Sequence, residues 1–241
     1  EVLLYNEPIY GAFQGFGQDL FRPAANRSGW DPRPGEGHMD ALLRSTVLSQ
    51  AGNYGDTEVL AQAKDRFLRY LEEPESLHPD LRGVAFSLAG QTGDRTTYDQ
   101  LLELERNATL QEEKIRLLMA LTRFNQPELL QETLERSISN DVRSQDTITM
   151  VTGVAANLKG RDLAWKFVKD NWPEFDRRYG GGGFGLMRLV SVSGHFTDEE
   201  NLADVEKFFQ EHPVAAAEAP GDGKDRPPPR LDAGGPPPSG I

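Results

Sequence analysis

Along most of the chain the apolar residues return every three to four positions, the spacing of one helix face, and nowhere sustain the two-residue alternation of a half-buried strand. Met39, Leu42, Leu43 and Val47 fall on one such face, as do Leu60, Ala63, Phe67 and Leu71. Start and stop signals divide the pattern into short helices. Thr109 with Glu112 and Thr197 with Glu200 have the spacing of capping boxes, in which each side chain satisfies a backbone amide near the other. Pro127 suits a first helical turn, where its missing N–H has no partner to lose. Pro74, Gly90, Gly160 and Pro213 read as terminators. The pattern predicts helices opening near residues 37, 57, 79, 95, 110, 127, 145, 161, 184 and 198.

Every second opening from residue 57 falls at 57, 95, 127, 161 and 198, a spacing of 32 to 38 residues. That period predicts stacked helical hairpins, each too short to bury its apolar stripe alone. With about four large apolar side chains per stripe, at roughly 1.5–3 kcal/mol each, stacking outweighs intrinsic helix propensity. The expected fold is all-α, a HEAT- or armadillo-like superhelix with a concave inner face. The Trp, Leu-Gly and Tyr signature of tetratricopeptide repeats is absent. Leu202, Val205, Phe208 and Phe209 form a broad apolar face on the helix expected at 198–211. No further helical pattern follows, so part of that face is expected to be exposed. Two regions result: a helical array over 1–218 and a tract over 219–241 with seven Pro and five Gly. The tract cannot pack as a helix and reads as a disordered or non-native tail, with a polyproline II ligand at "RPPPR" as the alternative.

Composition narrows the partners. With 241 residues, 37% of them hydrophobic, the chain can bury a core. A net charge of −12 argues against nucleic acid and anionic membranes, both of which need clustered Lys and Arg. No apolar run approaches the roughly 18 residues of a membrane span. Zero cysteines exclude disulfides and thiolate metal sites and fit a reducing compartment, so the expected location is the cytoplasm. The start without methionine suggests a piece of something longer.

Candidate chemistry is sparse. In "PGEGHMDALLRS" one histidine, His38, stands between Glu36 and Asp40. Either this is a metal site or it is the mouth of a helix, whose positive end suits the flanking acids. The helix reading is preferred, because His38, His78, His195 and His212 never fall four apart and so cannot offer zinc a helical pair. "YGGGGFG" contains a Gly-x-Gly-x-x-Gly pattern at Gly180, Gly182 and Gly185, but no buried strand precedes it, and it reads as a connector. Trp165 and Trp172 stand seven apart, which suits packing between repeats, with a ligand platform as the alternative.

Four segments carry a family resemblance: "GWDPRPGEGHMDALLRSTVLSQAG" (29–52), "LQEEKIRLLMAL" (110–121), "SNDVRSQDTITMVTGVAAN" (139–157) and "RDLAWKFVKDNWPEFDRRYGGG" (161–182). They resemble the C-terminal helical domain of zinc aminopeptidases of the puromycin-sensitive type, and the likeness runs from about residue 5 to Glu218. It implies a bowl of HEAT-like helices over a separate catalytic domain, which holds zinc with His-Glu-x-x-His and a downstream glutamate. That segment is not in this sequence, and the resemblance also implies further helices after "HPVAAAE", where this sequence turns to the Pro/Gly tract, so the array is expected to lack its closing helices. The resemblance thus implies a chain with no catalytic residue, metal or cofactor of its own, whose partners are the catalytic domain of the same polypeptide and a peptide substrate. If a polar cluster lines the peptide cavity, "DVRSQD" (141–146) is the candidate. Arg143 would meet a peptide carboxylate, or, more plainly, pair with Asp146 beside Ser144 at a helix start. The alternative from a different class is a free-standing repeat scaffold that binds a protein on its concave face.

Overall fold

The computed structural model describes residues 4–5, 7–181 and 184–214. Among them are twelve α-helices and no strand: α1 (Tyr10–Ser28), α2 (His38–Asn53), α3 (Thr57–Glu72), α4 (Pro79–Thr92), α5 (Arg95–Asn107), α6 (Gln111–Leu121), α7 (Pro127–Ser137), α8 (Ser144–Ala156), α9 (Arg161–Asp170), α10 (Trp172–Tyr179), α11 (Phe184–Val190) and α12 (Glu199–Glu211). The ten expected openings each fall within one residue of a helix start. The tract at 219–241 lies outside the described residues. No helix among the described residues is long and apolar enough to cross a membrane.

Helices pair as α1 with α2, α3 with α4, α5 with α6 and α7 with α8, while α2, α4, α6 and α8 stack on one another in sequence. The even helices therefore form one layer, flanked by the odd ones. Their lengths explain the need for it, since helices of 11 to 16 residues are marginal alone in water. The contact faces are apolar: Leu48, Ala51, Ala85, Phe86, Leu88, Leu117, Leu121, Met150 and Val151 are all buried.

Hydrogen bonds between repeats keep the same register as the helix starts. The last carbonyls of an α-helix lack partners within it, and here the next repeat supplies them. Gln91 Nε2 donates to Gly52 O at the end of α2 (3.3 Å). Asn125 Nδ2 reaches Gln91 O (2.7 Å) and Gln126 Nε2 reaches Gly93 O (2.8 Å) at the end of α4. Asn157 Nδ2 reaches Thr122 O (2.9 Å) and Phe124 O (2.7 Å) after α6. Buried links elsewhere repeat the interval, as in Tyr98 Oη with Thr133 Oγ1 (3.0 Å) and Arg136 Nη2 with Glu105 Oε2 (2.6 Å). Burial pushes the Tyr98 hydroxyl up to about 12.

Several local expectations are corrected. Gly90 does not end a helix; it lies inside α4, and a Cβ there would come 2.7 Å from the Ala120 carbonyl of α6. Its value is close approach of two backbones, and Gly93 caps the helix instead. Leu110 and Asp198, not Thr109 and Thr197, are the N-caps of α6 and α12. At α12 the Asp198 carboxylate accepts Asn201 N (2.8 Å), and carboxylates cap better than threonine one residue earlier. Helix α1 escapes a reading based on breakers because it contains Pro23 and several glycines. Gly17 leaves room for the Tyr54 ring, which would lie 2.2 Å from a Cβ at that position, and Tyr54 stacks on Phe21 (5.7 Å). The face of Met39, Leu42, Leu43 and Val47 is not a core stripe, since only Val47 is buried. Leu60, Ala63, Phe67 and Leu71 do pack into the core.

After α9 the hairpin rhythm breaks, because Pro173 in the first turn of α10 starts a new helix directly after Asn171. Trp165 and Trp172 thus stand on different helices, and both hold α12. Their rings meet Phe208 edge to face at 5.3 Å, and the His212 ring stacks on Phe208 at 4.4 Å. Trp165 Nε1 and Lys169 Nζ donate to Asp204 (2.6 Å each). Of the apolar face expected to be bare, Leu202 is 55% exposed but Phe208 only 8%.

Two measurements check this packing. Phe208→Ser should cost about 3 kcal/mol or more in urea denaturation, since an enclosed aromatic is lost and a hydroxyl is buried. Asp56, the N-cap of α3, accepts Glu58 N, Val59 N and Arg22 Nε. Burial pushes its carboxyl up, and Arg22 with those two amides outweighs this, so the net shift is downward from 3.8. Asp56→Ala should therefore cost about 1–2 kcal/mol at neutral pH. The difference should be full well above pH 3.8 and shrink as the pH falls through the lowered folded-state value.

Candidate functional site

Arg143 is the N-cap of α8, and Asp146 sits in its first turn. The guanidinium reaches back to the carboxylate, Nε to Oδ2 at 2.8 Å and Nη2 to Oδ1 at 3.3 Å. Gln111 Nε2 of α6 also donates to Asp146 (3.3 Å), so the pair joins α8 to its neighbour. The groove of about 500 Å³ beside Arg143 is lined also by Arg177 and Arg178. Both of these bind Glu174, whose carboxyl they hold down at about 2. Every arginine in this groove has a carboxylate.

The histidine segment resolves as a helix mouth. His38 is the first, exposed residue of α2, and Asp40 Oδ2 accepts the Gly37 amide (2.8 Å). Glu36 turns away to Arg44 Nη2 (2.5 Å) and the Arg33 amide (2.8 Å). These two hold its carboxyl below the usual range, Arg44 first. Gly180 and Gly185 flank the end of α10 and lie within α11; Gly182 of the same pattern lies outside the described residues.

Two features escape a reading by motif. One is a pocket of about 400 Å³ where the even helices end. Asn53, Gln91, Arg123, Asn125, Asn157 and Lys159 line it from those ends, and Tyr5, Tyr10 and Gln14 from the N-terminal side. The residues come from five separate stretches at about the repeat interval, a signal visible in sequence only once the hairpin ends are known. The other is an apolar surface on the first hairpin. Ile9, Phe16 and Leu20 of the α1 region and Met39, Leu42 and Leu43 of α2 are all about half exposed or more, Met39 at 74%. The periodicity that marks such a face is the same whether or not anything covers it.

Comparison with known proteins now bears on this architecture. Residues 2–220 match the family described as ERAP1-like C-terminal domain. The chain belongs to that family. It is 34% identical to Aminopeptidase M1 of Arabidopsis thaliana over 85% of this chain and 24% of that protein. To Aminopeptidase 2 of Candida albicans it is 30% identical over 86% of this chain and 23% of the relative. To the glutamyl aminopeptidase of Bos taurus it is 29% identical over 88% and 22%. The chain thus spans about a quarter of the length of the curated relatives it matches. As an ERAP1-like C-terminal domain it places Arg143 and Asp146 at a junction between helices, and it brings neither into the pocket at the even-helix ends.

Arg143→Ala should lower stability by about 1 kcal/mol or less, since its guanidinium is half exposed and screened. Asp146→Ala should cost more, because Gln111 loses its acceptor as well; thermal unfolding of both variants tests the order.

Proposed function

We propose that this chain is the helical cap of a zinc aminopeptidase, covering the active-site cavity and governing peptide access while another part of the polypeptide performs the chemistry. The observation that carries the reading is the family match over 2–220 together with relatives named aminopeptidases, of which the chain spans about a quarter. The exposed apolar side chains of α1 and α2 support it. Phe16, Leu20, Met39, Leu42 and Leu43 offer a surface of the kind that is covered by a partner, and the catalytic portion of the same polypeptide is the partner proposed. Zinc would be held there, by a His-Glu-x-x-His helix and a glutamate, and would polarise the scissile carbonyl. The chain's own contribution is steric: a stacked array is stiff enough to admit extended peptides and turn away folded proteins. A cytoplasmic location belongs to the same proposal and rests on the absence of cysteine.

The reading frame that precedes Glu1 should encode His-Glu-x-x-His, and the whole protein should release aminomethylcoumarin from an aminoacyl substrate. The isolated chain should cleave none and hold no stoichiometric zinc. One tightly bound zinc per isolated chain by metal analysis, or an upstream frame without the motif, would overturn the assignment in favour of a free-standing scaffold.

A further inference from the structure

In a stack of helical hairpins each repeat touches only its neighbours. The bonds between repeats described above obey this, joining residues 31 to 39 positions apart. Two contacts at the edge where the even helices end do not. Arg123 Nη2, just after α6, donates to Asn53 Oδ1 at the last residue of α2 (2.6 Å), 70 positions away, and so bypasses the α3–α4 hairpin. The Tyr5 ring, ahead of α1, lies 5.5 Å from Lys159 Nζ and 5.9 Å from Arg161 Cζ at the start of α9, bypassing every hairpin from α3 to α8.

Tyr5 is tied in turn to the first hairpin. Its ring meets Tyr10 of α1 edge to face at 5.3 Å, Tyr10 leans on Phe13 at 6.5 Å, and Phe13 meets Tyr54, just after α2, at 5.7 Å. A run of aromatic rings thus starts on the first hairpin and ends over two cations beside α9. One of those cations is poorly provided for. Arg161 is only 8% exposed. Other enclosed arginines have a carboxylate: Arg44 has Glu36, Arg82 has Glu113 and Arg136 has Glu105. Arg161 has none among the described residues, and its Nε has no hydrogen-bond partner. An aromatic face compensates a buried guanidinium only in part.

We infer that this edge is a clasp, in which Tyr5 over Lys159 and Arg161, with Asn53 bound to Arg123, holds the first hairpin to the start of α9 and so sets the curvature of the array. The clasp opens without unstacking the helices. On the closed side stand the ring contacts and one bond between an amide and a guanidinium; on the open side stands the hydration that Arg161 regains. The faces between successive even helices are apolar and buried, and they stay in contact as the edge opens. A small shear at each junction, within the reach of packed helices, adds up to a large displacement between the ends of the stack. The inference concerns the flexing of this chain alone. Its failure would leave the cap assignment standing, which is decided by the upstream frame and the zinc content.

Distances between two spin labels test it. Gly11 and Asp162 are exposed, and a Cβ at Gly11 meets nothing within 4 Å. Because the chain has no cysteine, Gly11→Cys with Asp162→Cys places one label on each side of the clasp and none elsewhere. Double electron–electron resonance on the labelled chain should give one narrow distribution. Adding Tyr5→Ala and Asn53→Ala together should move it to longer distances and broaden it, while the melting temperature stays close to that of the labelled parent. Tyr5→Phe, which keeps the ring, should retain the parent distances. An unchanged distribution in the Tyr5→Ala, Asn53→Ala variant would overturn the inference. So would an equal lengthening in Tyr5→Phe, or a loss of melting temperature in the double alanine variant as large as that of Phe208→Ser, which would make these contacts part of what holds the fold together.

Discussion

The carbonyls at the C-terminal ends of the even helices dominate the architecture. Each even helix is buried in the middle of the array, so the groups that its last turn cannot pair must find donors inside the protein. Gln91 provides them from the last turn of α4, and Asn125, Gln126 and Asn157 from the residues that follow α6 and α8. The arrangement couples neighbours in one direction along the chain. A repeat that rotates or slips against the one before it loses these bonds, most of them half-buried, at about 0.5–1.5 kcal/mol for each. Apolar burial drives the stacking, which hydrophobic contact alone would leave free to slide; the amides fix its register.

The same constraint creates the pocket. Side chains that reach back to a carbonyl gather at one edge of the array, and with the tyrosines of the N-terminal segment they enclose polar space there. The edge collects positive charge as well, from Arg123 and from Lys159 and Arg161 around the start of α9. Acidic residues are spread over other surfaces, some of them paired along a single helix, as Asp99 is with Arg95 and Asp170 with Lys166. A strongly acidic protein thus presents a locally cationic cavity, and only local geometry reveals it, since surface fields fade within about 8–10 Å.

At the opposite end of the chain a different solution holds the last helix. The hairpin rhythm stops where Pro173 starts α10, and the aromatic rings of Trp165, Trp172 and Phe208 take over the work of an apolar stripe. Edge-to-face contacts of this kind are directional, and the bonds from Trp165 and Lys169 to Asp204 set the helix in place along its length. The interval of 37 residues between the expected starts at 161 and 198 survives, although four short elements fill it where two helices were expected.

What could be read from the amino-acid order alone was whatever depends on neighbours in the chain. Helix starts follow from caps, prolines and a period of 3.6, all local; Pro127 and Pro213 mark boundaries as expected, while Gly160, read as a terminator, is the N-cap of α9. The spacing of those starts was enough to indicate stacked hairpins, and the quoted segments were enough to indicate the family. Tertiary structure decided everything that depends on which surfaces meet. Gly90 and Gly17 look like breakers until the helix or ring pressed against them is seen. Met39, Leu42 and Leu43 satisfy the same helical period as a core stripe yet face outward, because periodicity records that a face is apolar and not what covers it. Arg143 and Asp146 stood out by being close in sequence, and they pair with each other. Arg161 opens α9, and that no carboxylate among the described residues reaches it shows only in three dimensions, because a charge is left unpaired by what fails to reach it across the fold.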